Sequence, residues 1–504
     1  MTTDLSHLVV MRSDLGELKR LRSEIPGTLQ VWSFNELMNL GFEYPLEEHA
    51  PDLDSPFLIC YTSGSTGLPK GVVHTQRTFM TAVNFIEDYL PKRTKDGSRQ
   101  THLCYLPLSH IMEQLLLSRQ LLYGSRIVFL TTDVSGLQQD IQYYRPTVFC
   151  GVPRIFSRIY TDYLQHFHNK KLASLLLSFA IYMKLREQKK DIYNQSGWLD
   201  RKFFAPVRER FGGRVEMVIC GSAPLSSKVI GFIKASFSCP VLEGYGTTET
   251  AGVVSITIPA DPLTGHAGSI VRGVLVRLTD VQSMDIKVAR DKMGEVCVKS
   301  GGCTSGYYRD EESTKELFNE DGYVRTGDIG RWTASGALQI VDRCKNLFKL
   351  SQGEYVAPEK VERVYALSPL VINIFVDGNP SSSFAVAIVV PDCKQVWQRF
   401  SDKLLPVLKV TDRMRKVLNS SSIPVSDKEL CKSSLVAELI LRELVSLGKS
   451  AGLTGFEQVK AIHLCPEPFT VANGLLTPTM KASRAHIRRH YAAAIDELYR
   501  KANL

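Results

Sequence analysis

From Tyr61 to Gly71 the chain reads Tyr61-Thr62-Ser63-Gly64-Ser65-Thr66-Gly67-Leu68-Pro69-Lys70-Gly71, and the ten positions from Thr62 hold three glycines, four hydroxyl residues and one lysine. That composition suits a phosphate. Glycine lets backbone N–H groups approach an anion without a Cβ in the way, hydroxyls add rotatable donors, and lysine supplies a compact positive charge. The spacing is not that of a Walker A loop, because Gly67 is followed by Leu-Pro-Lys-Gly. The plain alternative is a flexible Ser/Gly surface loop, against which the stiff Leu68-Pro69-Lys70-Gly71 end argues.

Two further glycine-bearing turns follow apolar runs. Val215–Cys220 leads into Gly221-Ser222-Ala223-Pro224, and Val241-Leu242-Glu243 leads into Gly244-Tyr245-Gly246-Thr247-Thr248-Glu249-Thr250. Turns after the carboxyl ends of strands are where open α/β sheets bind ligands. Tyr245 offers a flat face for a purine, flanking glycines admit the base, and Thr248 and Glu249 offer oxygen ligands to a magnesium-bound phosphate. Thr62 is the hydroxyl candidate for the same ion. Alone, a tyrosine in a turn reads as packing. Asp328, between Gly327 and Gly330, is either a turn residue or a carboxylate able to accept both ribose hydroxyls. His110 is either a satisfied structural histidine or a neighbour of the reacting carboxylate. Lys481 is read from the residues alone as a solvated charge on a basic terminal helix.

Taken together, Thr62–Gly71, Gly244–Thr250 and Gly322–Gly330 resemble the signature motifs of the adenylate-forming enzymes: acyl-CoA synthetases, luciferases and peptide-synthetase adenylation domains. Thr247 stands where many members carry leucine. The resemblance implies ATP, magnesium and coenzyme A as ligands, with Glu243 and both glycine-bearing turns around the nucleotide. It implies Asp328 on the ribose, Arg343 on ribose and phosphate, Lys345 at a hinge, and the Gly353 turn facing the coenzyme A arm. Lys481 becomes the lysine that swings onto the α-phosphate and the carboxylate. Phe348-Lys349-Leu350-Ser351-Gln352-Gly353-Glu354-Tyr355 and Leu476–Lys481 resemble the eukaryotic long-chain fatty acyl-CoA synthetases. In that branch a far longer segment precedes the phosphate loop, against 60 residues before Tyr61 here. The expectation is an N-terminally incomplete large domain with an exposed sheet edge, an uncovered apolar face and low stability.

The elements that must position these residues follow from the pattern. The fold class expected is α/β. Strands near 103–106, 126–130, 147–150, 215–220 and 241–243 alternate with helical segments, which predicts a parallel sheet covered on both faces. Thr75–Tyr89 has helical spacing, placing a helix N-terminus close behind the phosphate loop. Residues 265–341 read as β-rich, and 371–376 and 384–390 as a hairpin. One helical stretch is expected from about Asp427 to Leu447. The resemblance divides the chain into a large domain, 1–343, and a small mobile α+β domain, 344–504.

With 504 residues and 44% hydrophobic content the chain can bury large cores, and it is not a disordered protein. Eleven scattered cysteines without a Cys-x-x-Cys pair write neither a zinc site nor a disulfide framework, which fits a reduced, cytosol-facing compartment. The net charge of +9 is not gathered into basic blocks, which speaks against nucleic-acid binding. No apolar run reaches the roughly 18 residues of a membrane span. The closest approach, Leu172–Met183, reads as a buried or half-buried helix, with interfacial membrane contact the lesser reading. The function expected is ATP-dependent activation of long-chain fatty acids to acyl-CoA through an acyl-adenylate, on the surface of the endoplasmic reticulum or another organelle. The alternatives are adenylation of another carboxylic acid, or an impaired homologue that only binds acyl groups or nucleotide.

Overall fold

The computed structural model describes residues 5–11, 15–25, 29–62, 69–131, 136–167, 170–259, 261, 263–404, 426–477 and 481–502. They fall into two units, 1–55 and 56–504. In the first, β1 (His7–Val10) pairs in parallel with β2 (Gln30–Ser33). Ser33 then caps the helix Phe34–Glu43 through a reciprocal box with Glu36, satisfying two orphan N–H groups at its start.

The second unit opens with β3 (Pro56–Thr62) and β4 (Lys70–Thr75), an antiparallel pair whose register runs from Thr62↔Lys70 back to Pro56↔Thr75. This corrects one expectation. The helix Gln76–Phe85 exists and is capped by Thr75, but β4 carries its N-terminus to the far end of the hairpin, away from the 62–70 connection. Residues 63–68, which include the candidates Ser63, Gly64, Ser65, Thr66 and Gly67, lie outside the described residues. β3 is the outer strand of its three-stranded sheet, and Phe57, Ile59 and Tyr61 on its outward side are exposed.

β5 (Thr101–Cys104), β6 (Arg126–Phe129), β7 (Val148–Gly151), β8 (Met217–Cys220) and β9 (Val241–Tyr245) pair in parallel. With β10 (Ser255–Ile256) and β11 (Ser269–Ile270) they form a seven-stranded sheet of order β11-β10-β9-β8-β7-β5-β6. Alternation sends Val148, Cys150, Met217, Ile219 and Leu242 into one core and Leu103, Phe149, Val218, Cys220 and Val241 into another. Both faces are covered, and every loop leaving a parallel strand's carboxyl end emerges at one edge.

The β-rich stretch folds as β12 (Val274–Thr279), β13 (Gly294–Ser300), β15 (Val324–Trp332) and β16 (Leu338–Arg343), an antiparallel four-stranded sheet. Between them β14 (Gly306–Tyr307) adds to β4. Beyond Arg343, β17 (Phe348–Lys349) and β18 (Tyr355–Val356) make a small hairpin. β19 (Val371–Gly378), β20 (Ala385–Pro391) and β21 (Val459–Leu464) form a sheet with one core on each face, built from residues 348–464 and 375–499. The helical stretch near 427–447 is two helices, Asp427–Lys432 and Ser434–Ser450. Ser433, in extended backbone, breaks the first and caps the second.

Candidate active site

The strongest local arrangement comes from strand register. β15 and β16 place Asp328 directly opposite Arg343, and the Arg343 guanidinium lies 3.5 Å from the Asp328 carboxylate. From the end of β9, Tyr245 donates to the other Asp328 oxygen at 2.8 Å. Burial raises the Asp328 pKa, while Arg343 and the tyrosine hydroxyl favour its charged form. Burial also lifts the Tyr245 phenol well above its usual range, so it remains a donor. Three residues 83 and 98 positions apart in the chain thus meet at the rim of the parallel sheet.

Lys481, exposed, lies within electrostatic reach of the same cluster. A short rung holds its backbone: the Lys481 N–H donates to Thr477 Oγ1 at 3.1 Å, and the Thr477 N–H donates to the Lys481 carbonyl at 2.8 Å. Surrounding protein and the Arg343 charge lower its ammonium pKa, with Glu359 and Asp328 opposing. The same lysine charge helps to depress His110, second to burial, to about 4. His110 caps the helix Ile111–Leu122, its Nδ1 accepting from the Met112 N–H at 3.2 Å. The remaining ring proton is therefore on Nε2, 3.4 Å from Ser222 Oγ. Ser222 is held at φ 73°, a left-handed conformation that a serine adopts only under constraint, directly after Gly221 at the end of β8. His110 thus caps a helix with one ring nitrogen and meets Ser222 with the other.

The two glycine-bearing turns lie side by side. Glu243 Oε1 accepts from the Leu225 N–H at 3.4 Å, tying the 221–225 turn, including Ala223 and Pro224, to the strand that ends at Gly244. A Cβ on Gly246 would stand 2.5 Å from the carbonyl carbon and oxygen of Gly252, so only glycine lets these backbones meet. Burial pushes the Glu243 carboxyl up to about 7, with the Leu225 N–H and Lys234 opposing. Between about pH 4.5 and 7 the folded state therefore holds the extra proton, and this group's contribution to stability is lost as pH rises through that window. Glu243→Gln removes that dependence. Thermal melts at pH 5 and 7.5 are expected to show the variant gaining on the parent by up to about 3 kcal/mol at the higher pH. Equal spacing of the two melting curves at both pH values would contradict it.

Glu249 and Thr248 sit in the turn after Gly246. Tyr307 from β14 donates to Glu249 Oε1 at 3.0 Å, the Thr304 N–H donates to the Glu249 carbonyl, and the buried His74 meets the Thr248 carbonyl at 2.7 Å. Lys70 Nζ donates to Ser313 Oγ at 2.6 Å and lies 5.1 Å from the Tyr307 ring centre. Tyr307, His74 and Ser313 were not singled out from the sequence. Each meets its partner across 58 residues or more, and nothing local marks a tyrosine in Gly-Tyr-Tyr as anything but packing. Thr62 makes only a weak 3.4 Å contact with the Lys70 carbonyl. Gly353, at φ 91° in the turn between β17 and β18, has open space around its Cβ direction.

The pattern of the family described as AMP-binding enzyme matches residues 7–308. The chain belongs to that family. Within it, the chain is 36% identical over 99% of its own length to a long-chain-fatty-acid–CoA ligase 1 of Cavia porcellus, covering 68% of that protein. A long-chain-fatty-acid–CoA ligase 5 of Mus musculus is 38% identical over 94% of this chain, which spans 66% of that relative's length. The chain is thus a member of the long-chain acyl-CoA ligase branch of the AMP-binding enzymes. Among solved structures, the adenylation domain of a carboxylic acid reductase from Segniliparus rugosus, in complex with AMP and a co-purified carboxylic acid, superposes with a TM-score of 0.76. It is 25% identical, over 99% of this chain and 72% of that one.

Proposed function

We propose that the protein activates long-chain fatty acids: the carboxylate attacks the α-phosphorus of ATP, pyrophosphate leaves, and the thiol of coenzyme A then attacks the acyl carbon and expels AMP. The observation that carries this reading is the Tyr245–Asp328–Arg343 cluster at the carboxyl edge of the parallel sheet, with Lys481 within electrostatic reach of it. Asp328 accepts the ribose hydroxyls, with Tyr245 and Arg343 holding its carboxylate in place. Lys481 supplies positive charge where the phosphate oxygens gain negative charge in the transition state. Neutral His110 and Ser222 face the acid's head group. The 62–70 connection between β3 and β4, with Lys70 at its end, cradles the outer phosphates.

The residues present suit a magnesium ion that travels with ATP. No group of three His, Cys, Asp or Glu side chains gathers among the described residues, but such an ion draws most of its oxygens from phosphate and water and needs one carboxylate, for which Glu249 serves and Thr62 is the hydroxyl candidate. When bound, it neutralises phosphate charge and orients the leaving pyrophosphate. Tyr307 fixes the Glu249 carboxylate for that role. Tyr307→Phe removes one hydrogen bond and little volume, so nucleotide affinity in the presence of magnesium, read by calorimetry, is expected to weaken by about fivefold to tenfold while the melting temperature stays put. An unchanged affinity would remove Tyr307 from the account.

Coenzyme A enters after residues 344–504 rotate relative to the rest, exchanging Lys481 for the surface around Gly353, so one pocket serves both half-reactions. The separate cores around β19–β21 support treating this part as a body that moves. Peripheral attachment to a cytosol-facing membrane, at the endoplasmic reticulum or another organelle, completes the reading. The test is palmitate-dependent pyrophosphate release, which needs ATP and the acid but no coenzyme A, set beside AMP release, which needs coenzyme A as well. A panel of aryl, amino and fatty acids in pyrophosphate exchange separates this reading from adenylation of another acid. Nucleotide binding without pyrophosphate release on any acid leaves the impaired homologue.

A further inference from the structure

The helix Lys171–Gln188 buries only one side of an apolar surface that runs around it. On the inner side Leu177 and Ala180 join Phe203, Phe204 and Ala235, and Lys184 pairs with Asp200 at 2.9 Å. On the outer side Leu172, Leu175, Phe179 and Tyr182 are 73%, 69%, 53% and 60% exposed. Steps of three, four and three residues keep these four on one stripe about three turns long. The sequence reading of a half-buried helix is right for the inner side and leaves the stripe without a partner.

The charges around the stripe say what covers it. Lys170 lies exposed at its start, and Arg186, Lys189 and Lys190 lie exposed at its end. Against these four cations stand only the half-buried Glu187 and, just past Lys190, the exposed Asp191. Large apolar and aromatic side chains in a row, bounded at both ends by cations that outnumber the neighbouring carboxylates, make a surface that is attracted by negative charge and then buries its apolar row. No described helix is long and apolar enough to cross a membrane.

We propose that the outer stripe of helix 171–188 docks the protein on an anionic lipid bilayer. The inference extends the reading given above, since an acid with a long alkyl chain resides in membranes and the enzyme that activates it gains by meeting it there.

Sedimentation with vesicles of phosphatidylcholine alone, and with an equal mixture of phosphatidylcholine and phosphatidylserine, tests it on the full chain. The unaltered protein is expected to pellet with the mixed vesicles, less so as salt rises. The double variant Leu175→Glu/Phe179→Glu is expected to bind them at least about tenfold more weakly. Lys189→Glu/Lys190→Glu is expected to lose the preference for phosphatidylserine, again by about tenfold. Circular dichroism shows whether each variant is folded. Failure of the unaltered protein to bind either vesicle overturns the proposal, as does undiminished binding by the Leu175/Phe179 variant. So does a dimer that this variant dissociates in the absence of vesicle binding, because a second copy then covers the stripe. Pyrophosphate release with palmitate in detergent, measured on the same proteins, separates the two readings: its absence alongside intact, stripe-dependent vesicle binding sinks the activity and leaves the docking surface supported.

Discussion

Lys481→Ala is expected to slow acyl-adenylate formation by about 10²–10³-fold, the usual effect of deleting one preorganised donor from a developing oxyanion. The second half-reaction is expected to survive. Thioester formation from preformed acyl-adenylate and coenzyme A has no use for a cation on a transferring phosphorus, because the phosphorus is already bonded to the acyl oxygen. The backbone of Lys481 is held by Thr477 and by the isolated bridge between Leu476 and Ala482, neither of which involves its side chain, so the variant keeps the fold that presents the position. His110 gives a second readout. Its pKa is depressed partly by Lys481, so removing the lysine is expected to raise it toward the usual histidine value. Burial, the larger cause, remains, and the histidine stays below its ordinary value. Equal losses in both half-reactions would mean that Lys481 supports the pocket generally and does not act on the phosphate.

How far this site could be read without coordinates depends on the kind of constraint each residue answers. Asp328, Arg343, Tyr245 and Lys481 stand in short strings whose composition is unusual in itself, and the structure brings the first three together because strand register and one edge of a parallel sheet leave little freedom. The parallel strands and the helix at 137–144 follow from ordinary periodicity, whereas the helix at 111–122, capped by His110, was not expected from the sequence. The strand Lys70–Thr75 was missed for a physical reason. Its six residues alternate in burial only weakly, and the helical pattern that begins at Thr75 drew the element boundary forward. The partners of Glu249 were missed because a contact between residues 249 and 307 is made by β14 pairing with β4, a tertiary event with no local trace. The break at Ser433 was legible in principle: serine in front of an apolar run is a cap signal that the single-helix reading passed over.

Asp328→Ala is expected to weaken ATP binding by about 10²–10³-fold. The buried carboxylate is the one acceptor that joins Tyr245 to Arg343, and by the proposed reading it also takes the ribose hydroxyls. Hydrogen bonds to a charged acceptor are worth about 1.5–3 kcal/mol each, so losing two toward the nucleotide costs about 3–6 kcal/mol, and the lower part of that span corresponds to the expected loss. Removing the carboxylate also takes from Tyr245 its 2.8 Å acceptor and from Arg343 the strongest of its acidic neighbours, with Glu359 and Glu249 remaining, so some of the loss is misplacement of those two groups. Asp328→Asn separates the contributions. An amide can still accept from Tyr245 and keep the volume, but it cannot offset Arg343 or accept both ribose hydroxyls as strongly, so its affinity should fall between the parent and the alanine variant. Gly246→Ala supplies the contrast. Its methyl group must displace the Gly252 backbone, so nucleotide binding is expected to fall together with the melting temperature. For Asp328→Ala the binding loss should exceed any change in melting of the ligand-free protein. Calorimetric titration of ATP into each variant, beside its melting curve, decides the matter: nucleotide affinity within twofold of the parent for Asp328→Ala would detach the carboxylate from the ribose and leave the Tyr245–Asp328–Arg343 cluster as a structural strut between the two sheets.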